Sequence, residues 1–453
     1  MNRATIVSTV RAKIGGETSI VALTMFAQNA LRIVGSMIMT RLLTSEAFGV
    51  IGVITSVIVV FGLVSDIGIS AFIIRYRGNN NADYINELWT LKLIRSIALT
   101  VAVIAFSGPI ARYLDKPDLQ WGIIVTAFTF TIDGFDSLGA LLALRGRQIK
   151  RLSQLDIVTQ AFNLSMTLTM AFIFRSYWGI IIGNTIGQLM RVWLSYYMFP
   201  GIRHRWRFRR ERAKELWRFS KFITGSTILS LIILQADKVV LAKVFPLHVF
   251  GLYILSAGLA AVPAGVAGGY CGRILLPRYA EIARNAPALL ANAYYRERLI
   301  VHIGYAAAIG LLAGCAPTII HILYDPRYFD AAFYFQVLLL GAFFSFGTLA
   351  ANEVMIALGK SHFTLTTNIV RVTFFAIGGY AAFVRYGPIG LIWVVSLIEL
   401  VAQIYGWIVL RHFRLLNVGK EALILLGGIG GLGVGYVVNI GAQWALAAIG
   451  IVR

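Results

Sequence analysis

The stretch RLLTSEAFG at residues 41–49 has a counterpart in KVFPLHVFG at residues 243–251, where a basic residue again stands seven positions before Phe-Gly. Three further pairs follow in the same order: GPIARYLDKP (108–117) with APTIIHILYDP (316–326), LRGR (144–147) with LGK (358–360), and YWGI (177–180) with GPIGL (387–391). The offset grows slowly along the chain, as expected for two copies separated by small insertions. Duplication inside an apolar chain is typical of transporters whose site lies between two halves.

The composition predicts an integral membrane protein. Hydrophobic residues make up 58% of the 453 residues, charged residues 13%, and the mean hydropathy is +0.76, which excludes an ordinary soluble domain. Apolar runs of about 20 residues recur, and barrel strands would alternate instead. We therefore expect an all-α fold of two pseudo-symmetric six-helix bundles plus one or two C-terminal helices, since 441–452 is short for a span. The predicted spans are 19–41, 48–74, 88–111, 121–144, 154–174, 177–199, 219–243, 249–275, 299–323, 331–358, 363–384, 388–410 and 421–440.

The net charge of +21 indicates topology rather than a nucleic-acid partner. Of the 41 Lys and Arg residues, 27 lie in segments that alternate with the spans on one side. This is the positive-inside pattern, and it places the N-terminus in the cytoplasm. Six spans per half then give both halves the same orientation in the membrane.

The predicted organisation has five parts: a cytoplasmic N-terminal segment (1–18), a first bundle (19–199), a basic cytoplasmic linker (200–218), a second bundle (219–411) and a C-terminal part (412–453). Trp206, Phe208 and Trp217 interleave with the basic residues of the linker. Two interpretations stay open for it. It is a tether that sets topology, or it lies on an anionic leaflet.

Several sequence motifs match patterns of functional sites but do not indicate such sites here. GIGGLG at 428–433 matches a dinucleotide fingerprint, but it lies inside an apolar span, where small residues at 427, 431 and 435 favour close helix packing. Cys271 and Cys315 lack metal-ligand spacing and indicate no disulfide framework. The loops predicted outside are short, and no catalytic motif is present. We expect no cofactor, no metal site, no catalytic residue and no enzyme activity.

Polar residues recur at helical spacing within the spans, and they cannot face lipid cheaply. They predict a wet cavity or pairing between helices. The candidate cations for an anionic head group are Arg32, Arg371, Arg95 and Arg191; the candidate coupling or gating groups are Asp133, Glu399, Asp237 and Lys238; the candidate polar lining is Gln28, Asn163, Gln188, Asn368 and Gln403.

The charges near mid-membrane have two interpretations. Arg32 with Asp133, and Arg371 with Glu399, would form a structural ion pair in each half. Alternatively, the arginines bind an anionic head group while the carboxylates gate or couple transport. Lys92, Arg95, Arg191 and Lys238 lie close enough to helix ends to reach the interface.

Several short motifs, called landmarks below, resemble those of the polysaccharide-transporter family of Wzx-type flippases. This family is part of the multidrug/oligosaccharidyl-lipid/polysaccharide superfamily. In the first half the landmarks are TRLL (40–43), Phe48-Gly49, SDIG (65–68, with Asp66) and IIR (73–75); in the second they are ADK (236–238), FGLY (250–253), LP (276–277), ILY (322–324) and ALGK (357–360). The resemblance covers about residues 15–415.

The resemblance implies export of a polyprenyl-diphosphate-linked oligosaccharide across a bacterial inner membrane by alternating access, for lipopolysaccharide or exopolysaccharide assembly. Membrane lipids, H⁺ or Na⁺ as coupling ion and other polysaccharide-assembly proteins are the implied partners. The alternatives are a cation-coupled multidrug exporter of the same fold and a membrane glycosyltransferase or polymerase of the same pathway. Arginine in both halves favours the flippase over the drug exporter.

Overall fold

The computed structural model describes residues 3–65, 69, 72–73, 82–146, 148–200 and 204–448, and none of these residues lies in a β-strand. Asp66 of the SDIG landmark lies outside the described residues. The helices are numbered in chain order: α1 Arg3–Leu42, α2 Ser45–Val64, α3 Ala82–Tyr113, α4 Leu119–Gly134, α5 Gly139–Arg145, α6 Ile149–Phe174, α7 Tyr177–Met198, α8 Arg210–Val244, α9 Leu247–Tyr270, α10 Leu276–Asn285, α11 Leu290–Arg296, α12 Leu299–Gly314, α13 Ala316–Leu323, α14 Ala331–Ala357, α15 His362–His412 and α16 Val418–Ala448.

The chain is an all-α, multi-pass membrane protein. In the described part, eight helical segments are long and apolar enough to cross a membrane, and nine if α4 and α5, which meet at 58°, form one span. Helices satisfy their own backbone hydrogen bonds, which hydrocarbon demands. The first helix begins at Arg3, whereas the first span is predicted from residue 19, so the helix extends through the predicted N-terminal segment.

The repeated stretches mark corresponding helix boundaries. α1 ends at Leu42 and α2 begins at Ser45, while α8 ends at Val244 and α9 begins at Leu247, with the same offset for both pairs. Thr44 caps α2 by accepting a hydrogen bond from the backbone N–H of Ala47. The internal repeat is therefore visible in the secondary structure as well as in the sequence.

Packing divides the chain into two compact units, Met1–Leu231 and Ile232–Arg453, and the boundary falls within α8. In the first unit, α3 packs on α4, and α6 packs on both α7 and α1. In the second, α14 packs on α9 and α15, and α12 packs on α16. The five predicted parts of the chain and their boundaries stay a prediction.

The sequence predicts two separate spans where α15 lies, and the structure places a break between them. Gly387 has a φ of 65°, in the left-handed region that glycine adopts readily, and Pro388 follows it. Two arms result, 362–386 and 388–412. The arms pack together, since a Cβ at Gly390 would lie 2.5 Å from the Ala382 carbonyl oxygen.

The glycine-rich stretch of α16 packs against α12, as its spacing predicts. A Cβ at Gly431 would lie 2.1 Å from the carbonyl oxygen of Ala307, and one at Gly310 would lie 2.1 Å from that of Gly428. Only residues without a side chain allow the two backbones to approach so closely. α16 is thus an integral part of the second unit.

A buried ionic cluster also joins α16 to the rest of the second unit. Arg298, just before α12, is fully buried and forms an ion pair with Glu421 of α16. Tyr295 donates a hydrogen bond to the same carboxylate at 2.8 Å, and Arg298 lies 3.0 Å from Nδ1 of His302. The guanidinium also lies over the ring of Tyr294, at 4.2 Å from its centroid. Arg298 falls between the predicted spans 249–275 and 299–323, among the basic residues that indicate topology, and this cluster was not predicted from the sequence.

The described part of the linker docks on the start of α3. The backbone N–H groups of Arg205 and Arg207 donate to Asn86 and Thr90 at 3.0 and 2.9 Å. Further along, Arg212 donates at 3.1 Å to Glu87, whose side chain is only 2% exposed. The linker is therefore attached to the first unit through specific hydrogen bonds, whereas Trp206 remains 62% exposed.

His204 makes this docking sensitive to pH. Its ring stacks on Trp89 at 5.2 Å, and Nε2 accepts a hydrogen bond from the backbone N–H of Leu138 at 3.2 Å. Burial, with help from the Lys92 charge, lowers the pKa of His204 from 6.5 to about 4. Because the undocked histidine binds a proton more readily, docking weakens as the pH falls from about 6.5 to about 4. We expect amide hydrogen exchange at 205 and 207, corrected for intrinsic rates, to accelerate over this interval.

The matched control is His204→Gln, which keeps a hydrogen-bond acceptor but does not titrate. Exchange at 205 and 207 in this variant should not depend on pH after the same correction. Equal acceleration in wild type and variant would contradict a role for His204.

Candidate functional site

A cavity of about 270 Å³ lies within the second unit, walled by the end of α8 and by α9, α14 and both arms of α15. Space is available because α9 presents small side chains to it at helical spacing, namely Ala257, Ala260, Ala261 and Ala264. Against this apolar wall stand four charged side chains. They are Asp237, Lys238, Arg371 and Glu399, all of which the sequence analysis selected.

Arg371 and Glu399 form an ion pair across the two arms of α15. Nη2 of Arg371 lies 2.8 Å from Oε2 of Glu399, and the two side chains are 12% and 23% exposed. Nη1 donates to Asn368 Oδ1, one helical turn away, at 3.0 Å. The pair considered for the second half is therefore present, and it lines an open cavity rather than a closed core.

The second pair of charges lies on α8. Lys238 Nζ is 3.4 Å from Asp237 Oδ1, and the hydroxyl of Tyr253 donates to the other carboxylate oxygen of Asp237. Tyr253 is fully buried in α9. This residue was not predicted to line a site, although its place in the FGLY landmark and its distance of one turn from Ala257 were available signals.

In the first unit, the partner of Asp133 differs from the one considered. Lys92 of α3 lies 3.6 Å from Asp133, and Gln188 of α7 donates to it at 3.4 Å. The expected partner, Arg32 on α1, is an exposed residue and Gln28 is half-buried. Helical phase did not identify which polar faces are neighbours.

Arg191 and Arg95 have different environments. Arg191 lies 3.7 Å from Asp156, with both side chains partly exposed. Arg95 donates to the carbonyl oxygen of Ser65 at 2.6 Å and to that of Gly62 at 3.1 Å, at the C-terminus of α2. A cation at a helix C-terminus satisfies carbonyls that have no partner within the helix.

The remaining amides lie at helix contacts. Asn163 accepts from Thr167 at 3.0 Å beside Gly187, and Gln403 is 3% exposed and lies 3.4 Å from Thr348. Their proposed role as cavity lining stays a prediction. Asn368 contacts Arg371 directly, as described above.

The chain is similar to known membrane proteins in sequence. An uncharacterized membrane protein in the cps region of Klebsiella pneumoniae is 22% identical over 78% of this chain and 73% of that protein. The lipopolysaccharide biosynthesis protein WzxC of Escherichia coli K12 is 22% identical over 62% of this chain, and the match spans 57% of WzxC.

Solved structures show the same fold. The lipid II flippase MurJ, in its inward closed conformation, aligns with a TM-score of 0.74 over 96% of this chain and 95% of that chain. The sequences are 12% identical, so the likeness concerns the fold alone.

The family model for polysaccharide biosynthesis proteins matches residues 38–333, well over half of the chain. This range contains both repeated Phe-Gly landmarks and the α8–α9 side of the charged cavity. The chain belongs to the polysaccharide biosynthesis protein family.

Proposed function

We propose that this protein is a flippase that moves a polyprenyl-diphosphate-linked oligosaccharide from the cytoplasmic to the outer leaflet of the bacterial inner membrane. The observation that carries the proposal is the placement of Arg371 and Lys238 in one cavity of a membrane protein of this family. A polyprenyl tail can stay in lipid, whereas a charged diphosphate needs cations to leave water. The similarity to WzxC and the fold shared with MurJ support the same function.

The size of the cavity supports a compact polar ligand. At about 270 Å³ it is smaller than pockets for drug-sized ligands, which span roughly 300–1,000 Å³. A diphosphate beside Arg371 and Lys238 fits this volume better than a large amphipathic drug does. Outward movement of negative charge is also favoured by an inside-negative potential, by about 2.3 kcal/mol per charge per 100 mV.

The finer parts of the proposal follow from topology and pathway. The positive-inside pattern supports a cytoplasmic N-terminus. Alternating access of two similar halves supplies the transport step without a covalent reaction, so the protein acts as a transporter and not as an enzyme. H⁺ or Na⁺ is the proposed coupling ion, and polysaccharide-assembly proteins are the proposed partners.

Transport in liposomes tests the function. Purified full-length protein is reconstituted with a polyprenyl-diphosphate oligosaccharide, and an impermeant sugar-modifying enzyme reports its exposure. We expect rapid modification of the inner-leaflet pool, and slow modification in protein-free liposomes. A fluorescent phospholipid in the same vesicles controls for non-specific scrambling. Exposure at the protein-free rate, together with export of an amphipathic cation, would overturn the flippase in favour of the drug exporter.

A further inference from the structure

The described charges that line the cavity of the second unit cancel one another. It is lined by two cations, Arg371 and Lys238, and by two carboxylates, Glu399 and Asp237. Each cation lies within 3.4 Å of a carboxylate oxygen. The described lining therefore has no excess positive charge for an anion, which must compete with a carboxylate already in place.

One edge of the Arg371 guanidinium can bind an anion that competes with Glu399. One of its nitrogens contacts Glu399 and another contacts Asn368, while Nε is buried and has no hydrogen-bond partner among the described residues. A guanidinium binds a phosphate through two adjacent N–H groups, and Nε with Nη2 form one such edge. An anion that occupies this edge takes the position of the Glu399 carboxylate.

Displacement of an ionised Glu399 is unfavourable. The carboxylate would lose its cation and face a dianion at close range, among side chains that are only partly exposed. The other charged and titratable groups around it are Asp237 and Lys238 on α8, Tyr253 on α9 and Tyr305 on α12. Lys238 already contacts Asp237, so the least costly outcome is transfer of one proton from solvent to Glu399.

We infer that an anionic head group binds to Arg371 by displacing Glu399, which takes up one proton from solvent, so that the head group and the proton bind together. This inference rests on the proposed function and adds the effect of a proton on binding of the head group. Each ligand strengthens binding of the other, because a coupling free energy is reciprocal. The loaded cavity then holds one negative charge fewer than the head group brings.

The test uses methanedisulfonate, a dianion that does not titrate near neutral pH, just as a diphosphate diester does not. Its binding to the purified full-length protein is measured by calorimetry at about pH 6 and about pH 8 and at constant ionic strength, since screening alters ionic binding. We expect tighter binding at the lower pH, approaching about tenfold per pH unit where one proton is taken up. Repeating the titration in buffers of different ionisation enthalpy gives the number of protons taken up on binding, which should approach one.

Three variants locate the effect. Glu399→Gln, which keeps the shape and removes the titration, should bind tightly at both pH values without proton uptake. Arg371→Gln should bind at neither. Asp325→Asn, in a partly exposed contact with Arg327, is the matched control and should behave as wild type.

Binding that is independent of pH in wild type, or that releases protons, would overturn the inference. Proton uptake in wild type needs no variant, so a poorly folded Glu399→Gln protein leaves the test intact. If sugar exposure in liposomes proceeds while methanedisulfonate does not bind, the proposed function stands and this inference fails. If wild type takes up protons with the dianion but no sugar is exposed, the cavity chemistry stands and the flippase assignment fails.

Discussion

Replacing Arg298 by methionine is expected to lower the free energy of unfolding of the second unit by about 3–5 kcal/mol, because Glu421 would remain buried without its cation. Glu421 has an 8% exposed side chain and would keep only the hydrogen bond from Tyr295. The ring contacts of the guanidinium with Tyr294 and Tyr295 would also be lost. Unfolding of the purified protein in mixed micelles by added SDS, followed by tyrosine and tryptophan fluorescence, measures the change.

Two further variants separate the buried charge from general damage. Arg298→Met combined with Glu421→Leu removes both charges and should regain most of the lost stability, since apolar replacement of a buried pair is often neutral. Arg278→Met removes a 58% exposed arginine that contacts Glu297 and should cost little. A double variant as unstable as the single one would show that packing, rather than the unpaired charge, dominates at this position.

Arg371→Gln is expected to slow sugar exposure in the liposome assay by roughly 10- to 100-fold, the loss that corresponds to one charge-assisted hydrogen bond of about 1.5–3 kcal/mol. The amide keeps polarity but offers neither the charge nor the paired N–H edge. Arg371→Lys should lie between this variant and wild type, because an ammonium keeps the charge without the planar edge. Initial rates at equal protein density give the comparison.

Arg327→Gln provides the control for this series. Arg327 is 46% exposed beside Asp325, outside the cavity, and its replacement should leave the rate unchanged. Size-exclusion profiles and circular dichroism establish that each variant is folded. Wild-type transport by a folded Arg371→Gln protein would remove Arg371 from the substrate path.

The sequence predicted most of the helices, because their signal is local. Apolar runs and the Gly387-Pro388 break both act within a few residues. The Arg371–Glu399 pair could also be predicted from the sequence. Both residues lie near the middle of adjacent spans joined by a tight connection, so their meeting requires only that the arms fold back together.

Contacts between distant helices were harder to predict. Arg32 was considered as the partner of Asp133, whereas Lys92, which the structure places beside it, was interpreted as a residue that reaches the interface. Arg298 was interpreted as part of the positive-inside pattern, because basic residues are common in cytoplasmic segments. Its burial depends on a carboxylate at the start of α16, and periodicity within one helix contains no information about that partner.

The Arg298–Glu421 pair also determines when, during synthesis of the chain, the charge of Arg298 can be compensated. Its two members are 123 residues apart in the chain. At a synthesis rate of about 5–20 residues per second, the ribosome needs roughly 6–25 s to supply Glu421 after Arg298. During that interval the guanidinium of Arg298 has no Glu421 carboxylate to compensate it. A chain truncated before α16 would lack the carboxylate partner of Arg298 altogether.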